Sequence, residues 1–239
     1  EEKLWSKIME PHSIPRQEFH KLKSPLMAAV QKNDFALVNI LIEAQVDVNE
    51  KNFRNETPLL LAVRKGHAQT TELLIAANAS LEIRDKHCKT PLIWAALCGH
   101  TDVTQLLLDA RAHIETKDAR RCSALIRAAA NGHSGVLDAL IRAKADIHAR
   151  DRHGNTPLIA AAHHGHAEAV RMLLAANAII DASNRDALTP LHFAVRNRNA
   201  ACIKTFIDAK ACPNSIDLQG KKPIVYAAAN GDINTVRML

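Results

Sequence analysis

Few residue sets in this chain have the types and spacing that chemistry requires. The densest is His163-His164-Gly165-His166, with His133 one period upstream. Imidazoles so close could hold zinc or shuttle protons, but zinc takes a tetrahedral set with supporting hydrogen bonds, and no Cys stands at suitable spacing. No metal site is expected. Cys88, Cys98, Cys122, Cys202 and Cys212 are odd in number with no CxxC pair, which favours free thiols in a reducing compartment over a disulfide framework. HExxH, GxSxG and GxxxxGK[ST] motifs are missing, and no Cys or Ser is placed with a His and an acid outside the repeating pattern. The expectation is a non-catalytic chain without a cofactor. His67, His100, His133 and His166 recur at one offset, as do Asp85, Asp118, Asp151 and Asp217. Recurrence in unit after unit points to structural hydrogen bonds for the histidines and to hairpin-stabilising roles for the aspartates.

The period behind that recurrence dictates which elements carry these side chains. Thr57-Pro58-Leu59, Thr90-Pro91-Leu92, Thr156-Pro157-Leu158 and Thr189-Pro190-Leu191 are 33, 66 and 33 residues apart. The same step finds Ser24-Pro25-Leu26, Ser123-Ala124-Leu125 and Lys222-Pro223-Ile224, so seven copies share a register without an insertion. Thr or Ser accepts from a free backbone N–H at a helix start, and Pro at the first helical position loses no hydrogen bond. A short Ala-rich helix follows and ends at Gly66, Gly99, Gly132 or Gly165. A second helix carries apolar residues at i, i+3 and i+4, as in Val170, Leu173 and Leu174. An extended polar stretch such as Asp146–Asp151 leads to the next unit. So small a helix pair cannot cover its own apolar face, and neighbouring copies must do so.

Composition fits this plan. Hydrophobic residues are 47% of the 239 but aromatics only 3%, so the core is built from Ala, Leu, Ile and Val. No apolar run nears the ~18 residues of a membrane span, and the net charge of +6 favours acidic partners.

These motifs closely resemble the ankyrin-repeat family, whose 33-residue unit carries a T-P-L-H-x-A signature. The best match runs from Asp151 to His166, and Thr189-Pro190-Leu191-His192-Phe193-Ala194 carries the signature itself. The resemblance implies an all-α repeat solenoid of helix-turn-helix units joined by β-hairpin-like loops, used for binding other proteins. One departure is systematic. Where the family places Gly after the second helix, this chain has Gln45, Asn78, Arg111, Lys144, Asn177 and Lys210. If the left-handed geometry is kept, the long side chains cost on the order of 1 kcal/mol each; otherwise the turn differs.

The expected organisation is an ankyrin-repeat domain over 23–239, with about seven repeats and the last one truncated. Residues 1–22 are read as a partial preceding repeat or an N-terminal capping helix, with Trp5, Ile8 and Met9 in the register of Val170, Leu173 and Leu174. Further repeats or another domain are expected to flank this piece of a larger protein.

The resemblance also places the binding surface on a concave face of hairpin tips and exposed first-helix positions. At those offsets stand Lys32, Arg54, Arg64, Lys65, Lys86, Lys89, Arg120, Arg121, Arg127, Arg152, Arg185, Arg196 and Lys221, thirteen cations against the acids Glu56 and Asp186. At about 8–10 Å per helix layer they would form a basic ribbon roughly 50–60 Å long. Four residues after the Thr position the copies read Ala28, Leu61, Trp94, Arg127, Ala160, Phe193 and Tyr226. Trp94 with Arg127 is the expected hot spot, since Trp, Tyr and Arg dominate interface energetics. Trp94 and Phe193 as mere space-fillers between first helices is the competing reading. His163 and His164 complete the candidate partner-binding set.

The leading functional reading is a monomeric protein-protein interaction scaffold whose basic face takes an acidic or extended protein or peptide. A second is nucleotide or oligonucleotide binding on the same groove, with Trp94, Phe193 and Tyr226 stacking on bases. A third is a spacer or targeting module for a catalytic domain elsewhere in the parent protein. The expected location is cytoplasmic, with the nucleus, or the host cytosol for a bacterial effector, as variants.

Overall fold

The computed structural model of the chain describes residues 24–239, so the expectations for residues 1–22 lie outside the described residues. The chain divides into two compact units, Glu1–His113 and Ile114–Leu239. In the first, the described helices are α1 (Pro25–Lys32), α2 (Phe35–Glu43), α3 (Pro58–Lys65), α4 (Ala68–Ala76), α5 (Pro91–Cys98) and α6 (Thr101–Asp109). In the second they are α7 (Ala124–Asn131), α8 (Ser134–Arg142), α9 (Pro157–His164), α10 (Ala167–Ala175), α11 (Pro190–Arg196), α12 (Ala200–Asp208), α13 (Pro223–Ala229) and α14 (Ile233–Met238). Odd-numbered helices pack on odd and even on even within each unit, so every repeat is covered by its neighbour.

Each first helix starts as its sequence dictates. Thr57 Oγ1 accepts from the Leu60 N–H at 3.3 Å, and Thr156 Oγ1 from the Ile159 N–H at 3.2 Å. In α11 the signature histidine takes part, with His192 Nδ1 accepting from the Thr189 backbone N–H at 3.2 Å while Nε2 reaches the Lys221 carbonyl at 3.2 Å. Lys222, at the start of α13, supplies no side-chain cap. Small side chains let first helices approach closely: Ala128, Ala129, Ala161 and Ala162 are fully buried. The second helices contribute Leu74, Leu107, Val136, Leu140, Val170, Leu173 and Phe206 to the core.

All described residues with positive φ fall at three positions of the 33-residue unit. One is the end of the first helix, where Gly66, Gly99, Gly132 and Gly165 stand. At Gly132, φ is 70° and an added Cβ would lie 2.4 Å from Nδ1 of His166, so both backbone and neighbour demand glycine. The second is the corner after the second helix. Gln45, Asn78, Arg111, Lys144, Asn177 and Lys210 all hold φ between 58° and 66°, so the family's left-handed geometry is kept despite the missing glycines. The backbone explains why. Arg111 N–H donates to Leu108 O at 2.9 Å and Ala112 N–H to Leu107 O at 2.9 Å, a Schellman closure repeated at every such corner. Burial of Ala79, Ala112, Ala145 and Ala211 just after these corners fixes the exit of the chain.

The third position lies in the connecting loops. None of these forms a strand among the described residues. Each is a finger closed by one backbone pair, as when the Asp85 N–H donates to Lys89 O at 3.1 Å, with a turn bond from the Cys88 N–H to Asp85 O at 2.9 Å. In the second unit successive fingers are linked by Arg152 N–H to Arg120 O at 3.0 Å and Arg185 N–H to His153 O at 3.0 Å. Among the described residues no helix is long and apolar enough to cross a membrane.

Candidate functional site: the cationic fingers

A recurring Asp, replaced by Asn52 and Asn184 in two copies, organises each finger. Asp118 Oδ1 accepts from the Arg120 N–H at 2.8 Å and the Cys122 N–H at 3.0 Å, and Asp85 does the same for His87 and Lys89 at 2.8 and 2.9 Å. The second oxygen looks nine residues ahead onto the first helix. Asp85 Oδ2 accepts from Trp94 Nε1 at 3.0 Å, Asp118 Oδ2 from Arg127 Nε at 2.9 Å, and Asp217 Oδ2 from the Tyr226 hydroxyl. Where the residue nine ahead cannot donate, the chemistry changes to match. Ala160 leaves Asp151 to accept from Asn155 Nδ2 at 3.0 Å, and the fingers ahead of Leu61 and Phe193 carry Asn52 and Asn184 instead of Asp. Burial alone would raise the Asp217 carboxyl, but the bonds from Tyr226 and the Lys221 and Gln219 amides hold it below the usual range. Burial and the bond to Asp217 raise the Tyr226 phenol. The hairpin-stabilising role expected of these aspartates is therefore present in hydrogen bonds.

This network engages two of the expected anchors. Arg127 pairs with buried Asp118, and Trp94 is hydrogen-bonded to its own finger. The Trp94 ring is flanked by Lys89, 4.2 Å from its centroid, and by Arg64 at 5.7 Å. Arg64 itself pairs with Glu56. Phe193 is a packing residue, 5% exposed, with His163 at 5.1 Å and the Arg196 guanidinium at 4.8 Å over its ring. It packs with Ile159, Leu188 and Tyr226, the space-filling alternative for this ring. Tyr226 is held by Asp217, with Lys221 5.9 Å from the ring.

The remaining candidates are exposed, apart from half-buried Lys89. In the first unit Arg54, Lys86, Lys89 and Trp94 share one shallow cleft, with Lys65 exposed at the end of α3. In the second unit Arg120, Arg152, His163 and His164 line a cleft of about 150 Å³ together with Arg127. Arg121, at φ 60° on its finger, lies apart from these in a second cleft with Lys117, Arg150 and Arg185. Lys117 and Arg150 escaped the sequence reading although their offset is basic in four copies, Lys51, Arg84, Lys117 and Arg150. Arg150 Nη1 also donates to Ser183 O of the next finger at 2.7 Å. Arg120, Arg121, Arg152 and Arg185 form no ion pair among the described residues.

The recurrent histidines do structural work. His67 Nδ1 lies 3.1 Å from Val30 O, His100 Nε2 lies 3.3 Å from Arg64 O and His166 Nε2 lies 3.1 Å from Ala130 O, each engaging a carbonyl near the end of the preceding first helix. Asn199 takes the same place with a bond to Ala162 O at 2.8 Å. His163 and His164 stack at 4.8 Å; burial and the charges of His164 and Arg196 lower the pKa of His163, and burial and His166 lower that of His164. All five cysteines are unpaired, and burial pushes the Cys122 and Cys202 thiols up to about 11, away from nucleophile chemistry.

Comparison with known proteins agrees with this architecture. The family model for ankyrin repeats (3 copies) matches residues 26–118, 113–184 and 179–239. The ankyrin repeat domain of Bcl-3, a member of the IkappaB protein family, is 25% identical with a TM-score of 0.78, covering 90% of this chain and 98% of its own. The human ASB11 ankyrin repeat domain is also 25% identical, with a TM-score of 0.80 over 90% of this chain and 96% of its own. No curated protein matches the sequence. Seven helix pairs in one register, matched along nearly their whole length, make this chain a member of the ankyrin-repeat family, whose repeats are generally protein-protein interaction modules.

Proposed function

We propose that the chain is a non-catalytic, monomeric interaction scaffold that holds an acidic, extended protein segment against its cationic fingers. The observation that carries this reading is in the second unit. Among the described residues Arg120, Arg121, Arg152 and Arg185 have no ion-pair partner, while the neighbouring carboxylates of Asp118 and Asp151 are consumed by their own loops. Cations held on a hydrogen-bonded framework attract an anionic chain at little reorganisation cost. Nucleotide binding is favoured less, because Phe193 is covered and Lys89 already lies 4.2 Å from the Trp94 ring centroid. The five free thiols suit a reducing compartment such as the cytoplasm.

The test is capture from lysate by the wild-type chain and by an Arg120→Glu, Arg121→Glu, Arg152→Glu variant, with and without nuclease. Arg127 stays untouched because Asp118 needs it. A protein partner retained by wild type, lost by the variant and indifferent to nuclease supports the reading. Identical partners for both chains, or capture abolished by nuclease, overturns it.

A further inference from the structure

The cleft of about 150 Å³ in the second unit exists because one side chain is small. Along the first helices of that unit, the residue four after the cap is Arg127, Ala160, Phe193 and Tyr226. Ala160 is the only one of the four without a large side chain, and its neighbours cannot swing in to fill the gap. Arg127 is anchored to Asp118, and Phe193 is pinned between His163 and Arg196. The floor of the gap is apolar, made by Cys122, Ile126 and Ala160 with Ala130 packed against them. Its walls are cationic or imidazole: Arg120 and Arg152 on the fingers, His163 and His164 on α9. The one acid on the lining, Asp151, spends both oxygens on its own loop.

We propose that this gap receives one leucine- or phenylalanine-sized side chain of a partner segment whose flanking residues are acidic. The inference rests on the finger face binding a protein segment, and it adds a shape requirement to the charge requirement. The size suits such a side chain, since an apolar cavity of about 150 Å³ holds one benzene ring. An apolar floor inside a cationic rim is complementary to an apolar residue between carboxylates, and unsuited to a phosphodiester chain, whose charge would have to sit over that floor. At neutral pH the stacked rings of His163 and His164, their pKa lowered by burial, add uncharged wall to the same gap.

The test uses fluorescent twelve-residue Glu-rich peptides that differ only at a central Ala, Leu or Phe, with anisotropy titrations of the full chain at fixed ionic strength. The Leu and Phe peptides are expected to bind about tenfold more tightly than the Ala peptide, the effect of burying one such side chain. Ala160→Leu copies the residue that repeat two carries as Leu61, and it should erase that preference while leaving the Ala peptide unaffected. Ala160→Val fills part of the same space and should reduce the preference. Arg152→Glu should weaken all three peptides alike. Equal affinity of the wild-type chain for the three peptides, or a preference that survives Ala160→Leu, overturns the gap and leaves the acidic-segment reading standing. Binding by none of them, or tighter binding of a single-stranded DNA twelve-mer, overturns both.

Discussion

If Asp118 and Arg127 form one structural unit, exchanging them together should cost far less than changing either alone. Asp118→Asn leaves the Arg127 guanidinium, whose side chain is 17% exposed, facing a neutral amide. Losing a charge-assisted bond in so sheltered a place costs about 2 kcal/mol. Arg127→Leu leaves the Asp118 carboxylate, 1% exposed, with an unsatisfied oxygen, again about 2–3 kcal/mol, offset in part by the apolar area that leucine buries. The double variant recreates the Asn52 and Leu61 combination that another repeat already uses at these offsets. It should therefore lie within about 1 kcal/mol of wild type, giving a coupling energy of roughly 2–3 kcal/mol. Urea unfolding of the four proteins followed by circular dichroism measures the cycle. At about 2–4 °C per kcal/mol for a chain of this size, each single change lowers Tm by several degrees and the double restores most of the loss. A double variant as unstable as the two single changes summed would refute the pairing.

The left-handed corners predict gains in stability. Replacing Arg111, Lys144 and Lys210 together by Gly should add roughly 0.5–1 kcal/mol per site after allowing for glycine's extra unfolded-state entropy, while the same change at Asn78 and Asn177 adds little, because Asn tolerates this conformation. A triple Gly variant no more stable in urea than the matching triple Ala variant would contradict the cost assigned to these corners. The histidines predict the pH dependence. His67, His163, His164 and buried His192 all have folded pKa values lowered by burial, which at His192 outweighs its bonds to Lys221 and Ser215 and the charge of Asp217. The unfolded chain then takes up protons first, near pH 6.5, so stability is complete above about pH 6.5 and is lost as pH falls from there through the lowered folded values. The carboxyls of Asp217 and Asp232 titrate below their usual range and do not contribute to that window. The urea midpoint should drop from pH 7.5 to pH 5.5, and less so in His192→Gln; a midpoint that stays level would show that these imidazoles are not held neutral.

Helix boundaries were legible because the groups that set them are local: Thr57, Pro58 and Gly66 each act on their own turn of backbone. The hydrogen bonds of the recurrent histidines were legible for a different reason, since a residue repeated at every 33rd position cannot be answering a single ligand. The corners were not legible, because Arg, Lys and Gln do not announce a left-handed backbone. Their conformation is imposed by the Schellman bonds and, after Arg111, Lys144 and Lys210, by the buried alanine that follows. Arg127 and Trp94 were read as available because charge and aromaticity were weighed position by position. Their partners, Asp118 and Asp85, stand nine residues upstream, and the match of Asp with a donor and of Asn with an apolar residue emerges only when the two offsets are read together. Ala160 was passed over for the opposite reason. A missing side chain has no signature until its neighbours are seen to be fixed around it.

The carbonyls at the ends of the first helices have one further consequence. His67 and His100 in the first unit, and His166 and Asn199 in the second, each reach backwards to the helix one repeat earlier. The dependence has a direction: a repeat receives the partner for its own helix end only when the repeat that follows it has folded. Deleting repeats from the carboxyl side strips a carbonyl partner from the repeat newly left last, whereas deletion from the amino side strips no such partner from those that remain. Within each unit the stack is thus asymmetric, with loosening favoured from one end, like a zipper with a single slider.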